Sequence, residues 1–401
     1  MKKYKIFVIA FFSIIYSYSQ SKKQSLLQYI NSTVTVVSEN GSGSGFIIDI
    51  GKVITNLHVL EGSESGYIII NGSNEKHKIK GYYNIDSTDD LIILSIPTLK
   101  NNPLRLANSK IKKGDSVFMF DDKLNSNKFI QNGKIEFIGN SESNSFMRTS
   151  IPVNQGNSGS ALINSKGKVV GVIFAGLFTP ENLAVGENVA SYAINLFTIK
   201  NLISKNSDTV KKLNNSKGAH YYYFSGLKKS DIKDFNGAIS DYNKSIKLNP
   251  NLFSSYYNRG LLKLQIRELR DLTASINDFN SVIKIMPDFA YAHNNKGLAK
   301  ILLKDFENAI KDFDISIKLD SNFGSAYSSR GLAKASIEDY ENAILDFNRA
   351  IEIEPDNKLF FFNRAGIKYF SGDEKGGCKD FKTAKKFGFL DAQILIDKFC
   401  K

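Results

Sequence analysis

Three residue types in this chain fall in an order that suits acyl transfer. A histidine lies in Thr55-Asn56-Leu57-His58-Val59, an aspartate in Asp89-Asp90-Leu91-Ile92-Ile93-Leu94, and a serine in Gln155-Gly156-Asn157-Ser158-Gly159-Ser160. A serine hydroxyl is a weak nucleophile at neutral pH. It gains strength when a neutral imidazole takes its proton, and the imidazole in turn needs a carboxylate to fix its tautomer and stabilise its charged form. His58 as base, Asp90 as orienting carboxylate and Ser158 as nucleophile can divide that work. Asp89 competes with Asp90, but Asp90 directly precedes the Leu-Ile-Ile-Leu run expected to enter a core strand. Gly156 and Gly159 let the backbone turn sharply around Ser158. A backbone kept this open can aim its N–H groups at a reacting carbonyl oxygen. His77, His220 and His293 lack comparable surroundings and read as structural or exposed. No His/Cys/acid cluster has metal-ligand spacing, so neither a metal nor another cofactor is expected.

The elements that must hold these residues are short. Between about 25 and 200 the chain runs through a dozen β-prone stretches, among them 33–37, 46–48, 53–55, 91–96, 117–120, 161–163, 169–173 and 191–194. Gly, Asn, Ser and Asp separate them, which predicts an all-β barrel or sandwich. A short helix is expected over 196–204, and the polar stretch 205–218 reads as a linker.

From 218 onward the period changes. Gly226, Gly260, Gly297, Gly331 and Ala365 recur at intervals of 34, 37, 34 and 34 residues. Acidic-aromatic pairs follow at Asp234-Phe235, Asp305-Phe306 and Asp339-Tyr340, and prolines stand at Pro250, Pro287 and Pro355. Small residues allow close helix approach, aromatics fill the gaps, and proline stops the second helix of each pair. This pattern resembles the tetratricopeptide repeat, a 34-residue helix–turn–helix. Five repeats over 219–388 and a capping helix over 389–401 are expected. The second repeat carries three extra residues, placed around 266–273 at its inter-helix turn.

The first part of the chain also carries a resemblance. Gly43-Ser44-Gly45-Phe46-Ile47-Ile48 with Lys52-Val53-Ile54-Thr55-Asn56-Leu57-His58-Val59 resembles the strand pair that leads to the histidine of chymotrypsin-fold proteases. Asp90-Leu91-Ile92-Ile93-Leu94 resembles their aspartate strand, and Gly156 to Leu162 their serine loop. Gly167-Lys168-Val169-Val170-Gly171-Val172 and Ser191-Tyr192-Ala193-Ile194 resemble the last strands of HtrA/Deg-type bacterial proteases. The resemblance implies an N-terminal all-β double barrel over 20–204 joined to the C-terminal all-α solenoid. It implies a serine endopeptidase with His58, Asp90 and Ser158 as its triad and Gly156 and Ser158 as its oxyanion hole. Three departures stand out. Ser160-Ala161 replaces the usual Gly-Pro, Gln155 replaces a residue that is often proline, and repeats follow where a PDZ-like region is usual.

Composition limits the alternatives. The 401 residues are 42% hydrophobic and 23% charged, a globular balance that suits two domains. The net charge of +13 is spread along the chain with acids interleaved, so no nucleic-acid footprint is expected. Residues 1–19 read as a cleavable export signal: Lys2, Lys3 and Lys5 precede the apolar run 6–15, and Ser17-Tyr18-Ser19 offers small residues for cleavage. That run is too short for a comfortable membrane span, so a periplasmic or secreted protein is expected. In that setting Cys378 and Cys400 can pair or stay as buried thiols.

The expected partners are polypeptide substrates at the triad and a protein ligand on the repeats. Tyr223, Tyr257, Asn294 and Phe362 match positions that line the concave groove of this repeat family. Asn258, Arg259, Asn295 and Arg364 hint at a site for a peptide carboxylate. The competing expectation is a catalytically silent protease fold kept as a scaffold for the repeats.

Overall fold

The computed structural model describes residues 25–73, 75–120, 130–138, 146–153, 156–174, 191–205, 209–214, 217–266 and 270–400. The expected export signal and Gln155 lie outside the described residues. The described chain divides into two compact units, one running through Ser255 and the other spanning Tyr256–Lys401.

The first unit opens with a seven-stranded antiparallel sheet. Its strands lie in the order Lys76–Lys78, Gly66–Ile70, Thr33–Ser38, Ser42–Asp49, Lys52–Asn56, Leu91–Ser95 and Gly81–Asp86. Alternate residues such as Val34, Val36, Ile68 and Ile70 are buried in one core, as the period-two side-chain alternation of strands requires. Six further strands close a barrel in the order Phe146–Thr149, Ser191–Asn195, Val169–Phe174, Ala161–Asn164, Ser116–Phe120 and Ile130–Ile138. Val117, Met119, Met147, Leu162, Ile173 and Ala193 fill it. A double barrel was expected; the second sheet closes, and the first is a half-barrel among the described residues. Helix α1 (Leu196–Ser204) follows the last strand, and the Asn195 side chain caps it by accepting the Thr198 N–H at 3.1 Å.

The rest is helical: α2 (Ala219–Asp231), α3 (Phe235–Leu248), α4 (Phe253–Gln265), α5 (Leu272–Ile285), α6 (Ala290–Leu302), α7 (Phe306–Leu319), α8 (Gly324–Ser336), α9 (Tyr340–Ile353), α10 (Lys358–Phe370), α11 (Glu374–Lys386) and α12 (Ala392–Phe399). The acidic-aromatic pairs of the sequence are the starts of the second helices. Asp234, Asp271, Asp339 and Asp373 are N-caps whose carboxylates accept the N–H of Gly237, Ala274, Asn342 and Gly376. The periodic glycines answer to the aromatics of the following helix: a Cβ on Gly297 would stand 2.6 Å from the Phe313 ring. Turns of three residues join each helix pair except α4 and α5, whose connection is six residues long and carries the insertion. Cys378 and Cys400 form a disulfide that ties α12 to α11.

The units divide at Ser255, not in the polar stretch 205–218. The reason is local. Lys211 forms a β-bridge with Tyr82, with N–H···O bonds of 2.8 and 2.9 Å in the two directions. Leu213 packs on the core of the first sheet, and Asn249, after α3, donates to the Ser87 carbonyl at 3.1 Å. The supposed linker and the first repeat are thus built onto the β-layers.

Candidate active site

Strand register brings the candidate base and carboxylate together. Asn56, the last residue of its strand, pairs with Leu91, the first residue of the next. His58 follows Asn56 on a single 3-10 turn (Leu57–Val59), and Asp90 immediately precedes Leu91. Asp90 holds a left-handed backbone, φ +55°, that a non-glycine residue adopts only when its surroundings enforce it. They do so here: its carbonyl accepts the Leu57 N–H and the Asn56 side-chain amide, both at 3.0 Å. Its carboxylate then takes two bonds from one residue. Oδ1 accepts the His58 backbone N–H at 2.9 Å, and Oδ2 lies 2.6 Å from His58 Nδ1. Burial alone would raise the Asp90 carboxyl. The facing His58 imidazole and the two hydrogen bonds from His58 outweigh it and hold the group below its ordinary value. Asp90 is therefore ionised at neutral pH, and Nδ1 of His58 carries the proton that bonds to it.

The serine loop is clamped from one side. The Ser44 hydroxyl donates to the Gly156 carbonyl at 2.9 Å, and the Ser44 N–H donates to the Ser158 carbonyl at 2.7 Å. Gly159 N–H reaches Ile173 O at 2.9 Å, and Ser160 N–H reaches Asn157 O at 3.0 Å. Gly156 and Gly159 hold φ of +98° and +91°, the left-handed region that the tight turn demands. Among the described residues no hydrogen bond takes up the N–H of Gly156 or of Ser158. Ser158 is buried, and the neighbouring Ser160 hydroxyl is buried with no hydrogen-bond partner among the described residues. Every hydrogen bond that His58 makes among the described residues goes to Asp90.

Nothing in the residue pattern points to what covers this centre. Helix α2, the first helix of the first repeat, lies on it. The Phe224 ring stacks on the His58 imidazole with centroids 3.8 Å apart and planes 30° apart. Phe174 meets the same imidazole edge-on at 6.2 Å. One turn earlier on α2, His220 is buried with Nδ1 3.8 Å from Asp90 Oδ1, and among the described residues neither of its ring nitrogens has a hydrogen-bond partner. Burial holds His220 below the ordinary histidine value, so its ring is neutral. The Tyr221 N–H donates to Glu61 Oε2, which supplies the acceptor that Gly218, the N-cap, lacks. Burial, then the nearby Asp90 charge, push the Glu61 carboxyl up to about 8 against the opposing Tyr221 N–H. His220 had read as structural or exposed, and its helix pattern alone offers no sign of Asp90. Phe224 ends a run of five consecutive ring-bearing residues, His220 to Phe224, whose outward members the repeat period does not assign.

Glu61 makes stability depend on pH with a definite sign. The folded protein keeps the Glu61 proton up to about pH 8, whereas the unfolded chain releases it near 4.5. The unfolded state thus binds fewer protons in that window, and stability falls as pH rises through it. Glu61→Gln keeps an acceptor for Tyr221 and removes the titration. Chemical denaturation at pH 5 and pH 8 is expected to show the variant gaining on the wild type by a few kcal/mol, on the order of the shift. The difference between the two proteins isolates Glu61 from His220, whose neutral burial acts in the opposite direction as pH falls through the ordinary histidine range.

The residues read as a carboxylate site are committed within the solenoid. Arg259 pairs through Nε and Nη2 with Asp278, and Lys263 joins it at 3.0 Å. Arg364 is bidentate to Asp380 at 2.7 and 2.8 Å, with Lys368 at 2.9 Å. Asn295 is buried and donates to the Tyr257 hydroxyl at 2.9 Å; Asn258 is buried as well. Tyr223, Tyr257 and Asn294, expected to line a groove, are also buried. For the two arginines the physical reason is the same: each second helix buries an aspartate, and the cations of the preceding helix must neutralise it.

Known proteins agree with both halves. The family described as trypsin-like peptidase domain matches residues 43–172, and the tetratricopeptide repeat family matches 219–252, 290–323 and 324–357. The Synechocystis protein HhoB is 30% identical over 177 residues, covering 40% of this chain and 41% of HhoB. The periplasmic serine endoprotease DegP of Salmonella typhimurium is 29% identical over 175 residues, covering 41% of this chain and 35% of DegP. The chain therefore spans well under half the length of these relatives. A solved serine endoprotease from Yersinia pestis is 23% identical and covers 46% of this chain and 65% of its own, with a TM-score of 0.40. Among the described residues no helix is long and apolar enough to cross a membrane. The chain carries a trypsin-like peptidase domain similar to those of the HtrA/DegP proteins, followed by tetratricopeptide repeats.

Proposed function

We propose that the protein is an exported serine endopeptidase whose repeats bind polypeptide. The observation that carries this reading is the Asp90 carboxylate, which takes both the backbone N–H and Nδ1 of His58 and so fixes the imidazole with Nε2 free to accept a proton. In the reaction, Nε2 takes the Ser158 hydroxyl proton as Oγ bonds to the scissile carbonyl carbon. The carbonyl oxygen becomes an oxyanion facing the N–H groups of Gly156 and Ser158. The tetrahedral intermediate collapses when Nε2 returns the proton to the leaving amine. Water, activated by the same imidazole, then releases the acyl group from Ser158. Asp90 stays ionised throughout and stabilises the imidazolium.

Export fits the Cys378–Cys400 disulfide, since disulfides persist in oxidising compartments. The test of the activity is hydrolysis of an unfolded protein such as reduced casein by the full chain. Turnover by wild type and its loss in Ser158→Ala support the reading; equal turnover by both proteins refutes it. The same reaction run on a peptide library reports specificity. Val172, Ile173 and Phe174, on the strand that hydrogen-bonds to the serine loop, and Ile151 and Val153, which precede that loop, are buried and apolar, and no acid stands among them. Cleavage after small or aliphatic residues is expected, and dominant cleavage after Lys or Arg would contradict it.

A further inference from the structure

We infer that helix α2 is a latch on the catalytic centre, with the Phe224 ring as the blocking group, so that the protein described here is a closed and reversible state. The inference rests on the peptidase reading above. Phe224 stacks on His58 and also meets Phe174 at 6.5 Å, so one ring bridges the candidate base and the end of the strand Val169–Phe174. On the peptidase reading, a bound peptide must reach Ser158 beside the imidazole that this ring covers. Phe146 and Phe253 extend the cluster: Phe146 lies 5.9 Å from Phe174 and 5.3 Å from Phe253, which comes from the start of α4. The Phe224 ring of the first repeat thus stands where substrate would lie, backed by Phe253 of the second, and the hydrogen bonds of His58 stop at Asp90.

The closed contact is also poised to open. It buries His220 with both ring nitrogens unpartnered and forces the Glu61 carboxyl to stay protonated beside Asp90. Both groups regain water when α2 lifts, so opening recovers part of what the lost aromatic stacking costs. A helix docked only as scaffold would gain from apolar or satisfied groups at these two positions. The anchor of the latch lies elsewhere, in the Lys211–Tyr82 bridge and the Leu213 contact, which hold the chain on the first sheet independently of α2.

The experiment compares full-length wild type, Phe224→Ala and Phe224→Leu by two readouts, after thermal unfolding has shown each to be folded. One is the rate of labelling by a small fluorophosphonate. The other is the rate at which diethyl pyrocarbonate modifies His58 in a Ser158→Ala background, which needs no catalysis. Phe224→Ala is expected to raise both rates at least tenfold, with Phe224→Leu between it and wild type. Unchanged rates of His58 modification would overturn the latch. A faster modification together with slower labelling would also overturn it, because Phe224 would then assist the chemistry. Faster modification with no labelling of any protein would uphold the latch over His58 and refute the peptidase reading instead.

Discussion

Asp90→Asn is expected to lower kcat/KM on a peptide substrate by about 10⁴-fold while leaving the protein folded. The carboxylate does two jobs through one side chain, accepting the His58 N–H on Oδ1 and facing Nδ1 with Oδ2. An asparagine can keep the first bond. At the second position it presents an amide NH₂ to Nδ1, which drives the imidazole proton to Nε2, the atom that must accept the serine proton. Asparagine also tolerates the left-handed backbone that Asp90 adopts, so the turn survives. The loss should therefore fall on kcat, with KM and the unfolding midpoint little changed. A large fall in the midpoint would instead mean that Asp90 acts mainly as a structural pin. The absence of any kinetic effect in an active enzyme would remove it from the mechanism.

Gly159→Ala is expected to damage both the fold and the site. Its φ of +91° is strained for any side chain, and a Cβ there would overlap the Ser44 carbonyl oxygen and stand 2.5 Å from Thr55 Oγ1. Those two groups belong to the clamp on the serine loop: Thr55 Oγ1 donates to Ser44 O at 2.6 Å, and Ser44 holds the carbonyls of Gly156 and Ser158. Strain and overpacking together should cost about 3 kcal/mol. For a unit of this size that lowers the midpoint by roughly 6–12 °C. The loop must shift to relieve the clash, so the N–H groups of Gly156 and Ser158 lose their common aim and kcat should fall about 10²-fold or more. Differential scanning calorimetry and single-turnover kinetics on the same preparation measure both. An alanine variant with native stability would show that the loop has room the described geometry denies it.

Much of this architecture was legible in the residues. His58, Asp90 and Ser158 stood in an interpretable order because each is tied to a strand end whose apolar run is visible. Asp234, Asp339 and their partners announced helix starts because capping is a local matter of one side chain and one turn. The Arg and Lys residues of the solenoid show where reading fell short. Arg330 and Arg364 each pair with an aspartate 16 residues later, and Arg259 with one 19 residues later across the three-residue insertion. That constant spacing was present in the sequence and accounts for the cations without any ligand. The cover on His58 was not legible at all. A repeat period specifies how helices pack on their own neighbours. It says nothing about the outward face of the first helix, where His220, Tyr221 and Phe224 meet Asp90, Glu61 and His58. Glu61 was equally silent, because a lone glutamate acquires its raised pKa only from the helix that buries it.

The central claim is that Ser158 is a nucleophile activated by His58. The most direct measurement is to expose full-length wild type and Phe224→Ala to a fluorophosphonate and map the adduct by peptide mass spectrometry. The account predicts one phosphonyl group, on Ser158, slow in the wild type and faster in Phe224→Ala, and absent when His58 is replaced by alanine in either. Folded proteins that both remain unlabelled, or that carry the adduct on another residue, would contradict it.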